Sequence, residues 1–143
     1  MQVLKANKVD LEAITNLNRL FHLDFPWFRW DNPKWVEKEI KNGNCYIIKN
    51  EYGVIAAMCL RMLKEEGCIE TIAVQENKQK SGVGRRLIEF AIDKSKISGK
   101  SKLTVESFCK YGVKEFYEKC GFVTKDKIET FNGHPYYCFS MKL

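Results

Sequence analysis

Gln79-Lys80-Ser81-Gly82-Val83-Gly84-Arg85-Arg86-Leu87 (QKSGVGRRL) joins a strand-like run to an amphipathic helix, and its reading decides the fold. Upstream, CIETIAV (68–74) has the β-branched content and length of a strand. Downstream, Val83, Leu87, Phe90 and Ala91 recur on one helical face until Gly99 ends the run. A helix start carries unpaired backbone N–H groups and a partial positive charge, so it attracts phosphate. Glycine lets a ligand approach the backbone because no Cβ intervenes. Lys78, Lys80, Arg85 and Arg86 add positive potential, and Ser81 stands where it would cap the helix. By themselves these residues suit a phosphate cradle and a capped helix with a solvated basic end equally well.

Two phosphate motifs are excluded. A P-loop requires Gly-Lys-Ser/Thr, whereas Arg85 and Arg86 follow Gly84. A dinucleotide fingerprint requires a third glycine where Leu87 stands, and a tighter turn than the one from Val74 to Gly82.

Length and composition narrow the frame. The chain has 143 residues, 45% hydrophobic and 29% charged, which suits one domain over residues 1–143 with its own core. The apolar run VIAAMCL (54–60) is too short to span a bilayer, and MQVLKANKVDL lacks the apolar stretch of a secretion signal. The expectation is a cytoplasmic protein with no membrane association. Six cysteines form no CxxC pair, so no zinc or other metal site is expected. The net charge of +6 admits nucleic acid, an anionic surface or a phosphorylated small molecule.

The rest of the chain yields an element order. QVLKA reads as a strand, and Asp10 caps a helix whose apolar face is Leu11, Ile14, Leu17, Leu20 and Phe21. In DNPKWVEKEIKNG, Asn32 caps, Pro33 opens and Gly43 ends a second helix. CYIIKN, VIAAMCLRML and CIETIAV are strands separated by turns, and KLTVES is a short strand after the central helix. Val113, Phe116, Tyr117 and Cys120 share a helical face, with Gly121 as a left-handed C-cap and Phe122 folding back. FVTKDKIETF and YYCFSMKL close the chain around NGHP. The predicted order is β-α-α-β-β-β-α-β-α-β-β, an α/β (α+β) fold with helices on both faces of a mixed, mostly antiparallel sheet.

Gln79-Lys80-Ser81-Gly82-Val83-Gly84 resembles the Q/R-x-x-G-x-G/A segment of the GNAT superfamily of N-acetyltransferases. As in that family, a strand ending Ile72-Ala73-Val74 precedes it. Phe116-Tyr117-Glu118-Lys119-Cys120-Gly121-Phe122 resembles the family's F-Y-x-x-x-G-F segment, and KANKVDLEAI its first strand and helix. The resemblance runs over essentially the whole chain. It implies an N-acetyltransferase in which a primary amine directly attacks the thioester of acetyl-CoA, with no metal. Ile72, Ala73 and Val74 would then pair with the pantetheine arm, an amide near Ile72 facing the thioester oxygen. Backbone amides of Gln79, Lys80, Ser81, Gly82, Val83, Gly84 and Arg85 would hold the pyrophosphate. Tyr117 matches the acid that protonates the departing thiolate, and Glu70 stands where several members place a base or amine-binding group. Lys110 departs from the pattern, occupying a position where many members carry a cofactor-binding asparagine.

FHLDFPWFRWDNP lies where such proteins commonly shape the acceptor site. Phe25, Trp27, Phe28 and Trp30 suit either a wall for an amine or core packing under the loop, and Asp24 and Asp31 a countercharge. A polyamine-like molecule, an aminoglycoside, an amino acid and a protein amine all fit at this stage. The alternative function is a non-catalytic acyl-CoA sensor or interaction module of the same fold. A nucleic-acid role is not expected, because the aromatics follow core periodicity or lie in this segment rather than interleaving a basic face. The last two strand runs suit pairing across a possible homodimer.

Overall fold

The computed structural model describes all residues, Met1–Leu143. The elements are β1 (Val3–Lys5), α1 (Leu11–Arg19), α2 (Pro33–Lys41), β2 (Cys45–Asn50), β3 (Gly53–Met62), β4 (Glu66–Val74), α3 (Val83–Ile97), β5 (Lys102–Phe108), α4 (Lys114–Lys119), β6 (Val123–Thr124), β7 (Glu129–Phe131) and β8 (His134–Lys142). The strands form one open sheet in the order β1-β2-β3-β4-β5-β8-β6, with β7 also on β8. β4 and β5 pair in parallel. The pairs β1–β2, β2–β3, β5–β8, β6–β8 and β7–β8 are antiparallel. The α+β class and the mostly antiparallel sheet expected from the sequence are observed. One run differs: FVTKDKIETF is two short strands, β6 and β7, because the charged Lys125-Asp126-Lys127 lie in the exposed segment between them.

The chain divides into two units, with the boundaries falling inside β4 and α3: Met1–Leu60 with Thr71–Phe90, and Arg61–Glu70 with Ala91–Leu143. In the first unit, α1 and α2 bury Ile14, Leu17, Val36 and Ile40 in a cluster with Ala6, Cys45, Ile47, Ala57 and Ala73. The alternate face of β2 carries Tyr46, whose ring lies 4.7 Å from that of Phe90 on α3. Strand alternation thus gives this part of the sheet a helix on each face. Its buried polar groups are satisfied. Thr15 donates to the Leu11 carbonyl at 2.8 Å, Asn18 to the Trp30 carbonyl at 2.7 Å, and Asn44 to the Glu39 carboxylate at 2.7 Å.

The first helix starts differently from the expectation. Asn7, not Asp10, is the capping side chain; it caps a short 3₁₀ turn, Lys8–Asp10, that precedes α1. Asp10 returns the bond by accepting from the Asn7 N–H at 3.0 Å, a reciprocal capping box, and lies 3.5 Å from Lys49 Nζ. Asn32 caps α2 with Pro33 in the first turn, as predicted.

In the second unit β5 alternates strictly. Leu103, Val105 and Ser107 are buried, while Thr104, Glu106 and Phe108 face the other way and are more exposed. The buried face meets Phe139 of β8, which lies against Tyr117 of α4 at 4.9 Å between ring centroids. Phe122 meets Tyr117 edge-on at 5.7 Å, the fold-back expected after Gly121. Along the same face α3 approaches β4 unusually closely at Gly67. A Cβ built there would lie 2.1 Å from Ser95 Oγ and 3.3 Å from Leu103 Cδ1. Ser95 is fully buried and its hydroxyl has no hydrogen-bond partner.

Two expectations follow for thermal or denaturant unfolding. Ser95→Ala should raise stability by about 1 kcal/mol, because an unsatisfied buried hydroxyl is removed. Gly67→Ala should cost about 1–3 kcal/mol by overpacking, and less in the Ser95→Ala background, where the clashing oxygen is gone. Strictly additive effects would show that the two positions do not press on each other.

Candidate functional site: the α3 start and the β4–β5 face

Within the first unit, the segment leaving β4 at Val74 makes a 3₁₀ turn at Glu76–Lys78 and then reverses into α3. Two residues take left-handed backbone conformations, Lys80 with φ 63° and Gly82 with φ 90°. Such reversals turn successive N–H groups toward one side, the geometry of an anion-binding nest. Gly84 lies in the first turn of α3 and is half-buried.

The side chains of this segment hold its shape. Gln79 Nε2 donates to the Val74 carbonyl at 3.1 Å and ties the loop to the strand end. The Ser81 hydroxyl donates to the Lys78 carbonyl, and no hydrogen bond from a helix N–H to it is observed. Arg86 Nε donates to the Met1 carbonyl at 3.1 Å, so its guanidinium is partly engaged, while Lys80 and Arg85 are exposed. Val83, Leu87 and Ile88 are buried and anchor the helix whose start carries these amides. Ile72 is half-buried, Ala73 and Val74 buried. The residues present therefore fit a pyrophosphate: a nest, a helix start anchored by packing, and two exposed cations.

The aromatic segment after α1 is also in the first unit. Phe28 is its hub, with ring centroids 4.7 Å from His22, 5.5 Å from Phe25 and 5.0 Å from Trp30. Arg29 lies over the Trp30 ring at 4.6 Å. Asp31 Oδ2 lies 2.8 Å from His22 Nδ1, so the countercharge assigned to it meets the histidine. Trp27 differs from the other aromatics, being 76% exposed with φ 76°.

In the second unit, Tyr117 is buried in α4, its ring against Phe116, Phe122 and Phe139. Burial first, and the neighbouring Cys120 second, push its hydroxyl well above the ordinary tyrosine value. The phenol therefore holds its proton throughout the neutral range. Lys110 is exposed in the 3₁₀ turn Cys109–Tyr111, closed by Gly112 with φ 66°.

Glu70 follows the last of four parallel register pairs, which run from Glu66↔Lys102 to Ile69↔Val105. It shares a strand face with Cys68, as Glu106 does with Thr104. Burial and the charge of Glu70 raise the Glu106 carboxyl, while a hydrogen bond from Tyr136 and the charge of Lys125 oppose that rise. Burial pushes the Cys68 thiol up to about 11, which leaves it protonated and a poor nucleophile. Glu106 and Tyr136 were not singled out from the sequence. KLTVES offers a lone glutamate in a strand, and only the parallel register with β4 sets it beside Glu70.

Comparison with known proteins supplies the family. The family model "Acetyltransferase (GNAT) domain" matches residues 41–124, more than half of the chain. No curated protein matches the sequence significantly. Among solved structures, a GNAT-family acetyltransferase from Bacillus cereus superposes with TM-score 0.78 at 17% identity, covering 99% of this chain and 96% of that one. Ard1 from Thermoplasma volcanium gives TM-score 0.84 at 13% identity, covering 99% and 97%. N-acetylglutamate synthase from Neisseria gonorrhoeae, solved with coenzyme A and N-acetyl-glutamate, gives TM-score 0.79 at 20% identity, covering 99% of this chain and 35% of that one. The motif-bearing segment, the sheet order and the family match agree: the chain belongs to the GNAT acetyltransferase family.

Proposed function

We propose that the protein is an acetyl-CoA-dependent N-acetyltransferase that passes an acetyl group directly to a primary amine. The observation that carries this reading is the start of α3, where left-handed residues at Lys80 and Gly82 lead into a helix anchored by Val83, Leu87 and Ile88. Backbone amides from Gln79 to Arg85 hold the pyrophosphate, with Lys80 and Arg85 contributing charge. Ile72, Ala73 and Val74 pair with the pantetheine arm, and Lys110 meets a cofactor phosphate. Coenzyme A binding by the Neisseria gonorrhoeae synthase supports the same choice of cofactor.

Acetyl-CoA supplies the activated acyl group. Glu70 takes the proton that the attacking amine must lose as the new N–C bond forms. Tyr117 gives its proton to the sulfur as the C–S bond breaks, a role suited to a phenol that burial keeps protonated. Proton transfer by a positioned side chain contributes about 10²–10⁴-fold. Transfer without an acyl-enzyme suits a face whose cysteine, Cys68, is held protonated. Phe25, Trp27, Phe28 and Trp30 are the acceptor-side aromatics, Trp27 alone among them being classed as exposed rather than half-buried. A reducing cytoplasm suits six cysteines that form no disulfide.

Calorimetry with acetyl-CoA, followed by assay of released thiol over an amine panel, tests this reading. The expected result is binding, with thiol release for one amine class. Binding without release from any amine would favour an acyl-CoA sensor, and no binding would end the proposal. Gly82→Ala should weaken acetyl-CoA by about tenfold and lower stability by about 1–2 kcal/mol, since φ 90° strains a residue with a Cβ although nothing blocks the space.

Tyr117→Phe should retain cofactor affinity and lose about 10²-fold or more in turnover; unchanged turnover would remove Tyr117 from the chemistry. The same variant has a stability signature. Because Tyr117 binds its proton more tightly folded than unfolded, its contribution is complete below pH ~10 and is lost as pH rises through the raised value. Alkaline melting curves of Tyr117→Phe should therefore fall less steeply than those of the wild type.

A further inference from the structure

We propose that Glu106 determines acceptor specificity, selecting an amine that carries a second positive charge and no carboxylate beside it. The inference rests on the transferase reading above and deepens it by naming the acceptor class. It stands on three features of the second unit. The first is register. Glu70 and Glu106 follow directly on the last parallel pair, Ile69↔Val105, and so occupy matching positions on β4 and β5 with the same strand-face parity. The second is the pairing with β8. Cys138 stands opposite Glu106, and Tyr136 pairs with Phe108 two residues beyond it.

The third feature is the wall beside the carboxylate. Phe108, on the Glu106 face of β5, has ring centroids 5.7 Å from Tyr111, 6.1 Å from His134 and 6.2 Å from Tyr136, all edge-on. All four rings are half-buried rather than sealed in the core. Partly exposed aromatic faces next to a carboxylate favour cations that carry aliphatic carbon.

The charge count then selects the acceptor. The groups facing Glu106 are Glu70 from β4, Tyr136 and Cys138 from β8, Glu129 from β7, and Lys125 from the segment between β6 and β7. Glu70 is neutralised when it receives the proton of the reacting amine. Glu106 is the exposed carboxylate beside it on β5, placed to pair with a second ammonium. A carboxylate adjoining the acceptor's amine would instead meet like charge from Glu106 and Glu129 and pay the repulsion. In a chain of net charge +6, such a face opposes the overall sign, so general attraction to the protein does not account for cation selection.

Three small amines separate the contributions. Cadaverine bears two ammonium groups on a five-carbon chain; pentylamine lacks the second, and free lysine adds a carboxylate beside one of them. With acetyl-CoA bound, the wild type is expected to favour cadaverine over both by about tenfold in kcat/KM, the size of one charge-assisted hydrogen bond. Calorimetric affinities of the amines for the CoA complex should follow the same order. Glu106→Gln should bring the cadaverine-to-pentylamine ratio toward one in both measurements, and Glu106→Asp should restore part of it. Melting temperature reports whether either variant is folded, and the wild-type comparison of cadaverine with lysine requires no variant.

Lysine accepted as well as cadaverine would overturn the assignment. So would a folded Glu106→Gln that keeps the wild-type ratio, or a protein that binds acetyl-CoA and accepts none of the three amines. Failure to bind acetyl-CoA would overturn the transferase reading itself, so the two failures are distinguishable.

Discussion

The first N–H groups of a helix have no carbonyl one turn earlier, and at the start of α3 that constraint organises everything near it. Ser81, the residue best suited by type to cap them, uses its hydroxyl on the Lys78 carbonyl instead. Gln79 is similarly committed to Val74. Both bonds shape the loop rather than the helix end. Val83, Leu87 and Ile88 meanwhile hold α3 in place, so its start is fixed before any ligand arrives. A donor array that is already oriented binds an anion without a large ordering cost. The same rigidity requires Gly82, since a side chain at φ 90° would strain the turn that aims the amides.

A second economy appears in the strands. Alternation on β5 sends Leu103, Val105 and Ser107 into the core and leaves Thr104, Glu106 and Phe108 for polar and aromatic chemistry. One strand thus presents an apolar face and a polar, aromatic one, and a one-residue register slip would exchange the two sets. Antiparallel pairing with β8 from Lys102↔Lys142 to Phe108↔Tyr136 fixes that register over the whole of β5. The parallel ladder with β4 is shorter, four pairs, and cannot fix it alone.

Local chemistry was legible in the sequence wherever neighbours in sequence decide it. Asn32-Pro33 marks the start of α2, the apolar spacing marks α3, and Gly121-Phe122 closes α4 much as their residue types require. Asp10 shows where such reading stops: Asn7 and Asp10 can each cap, and the three-residue turn Lys8–Asp10 makes Asn7 the cap and Asp10 its reciprocal partner. The long run FVTKDKIETF has acceptable strand alternation, yet its middle carries three charged residues and stays out of the sheet. Glu106 was illegible for a different reason. Its neighbour Glu70 is 36 residues away, and parallel pairing across the intervening helix leaves no local trace in either segment. Ser95 and Gly67 are similar, since only the approach of α3 to β4 turns an ordinary serine into a buried hydroxyl without a partner.

Net charge conceals more than it reveals in this protein. The +6 suggests one cationic surface, yet Lys78, Lys80, Arg85 and Arg86 gather at the start of α3 in the first unit, whereas Glu70, Glu106 and Glu129 belong to the second. On the proposed reading, an acyl donor bearing phosphates and an amine acceptor bearing a second ammonium have opposite requirements. A uniformly basic surface would attract the donor and repel the acceptor. Each unit is itself net positive, so local clustering of side chains, not a division of sign along the chain, would meet both requirements. Tyr117 stands apart from both signs: it lies among aromatic rings, where phenolate is costly and the phenol keeps its proton.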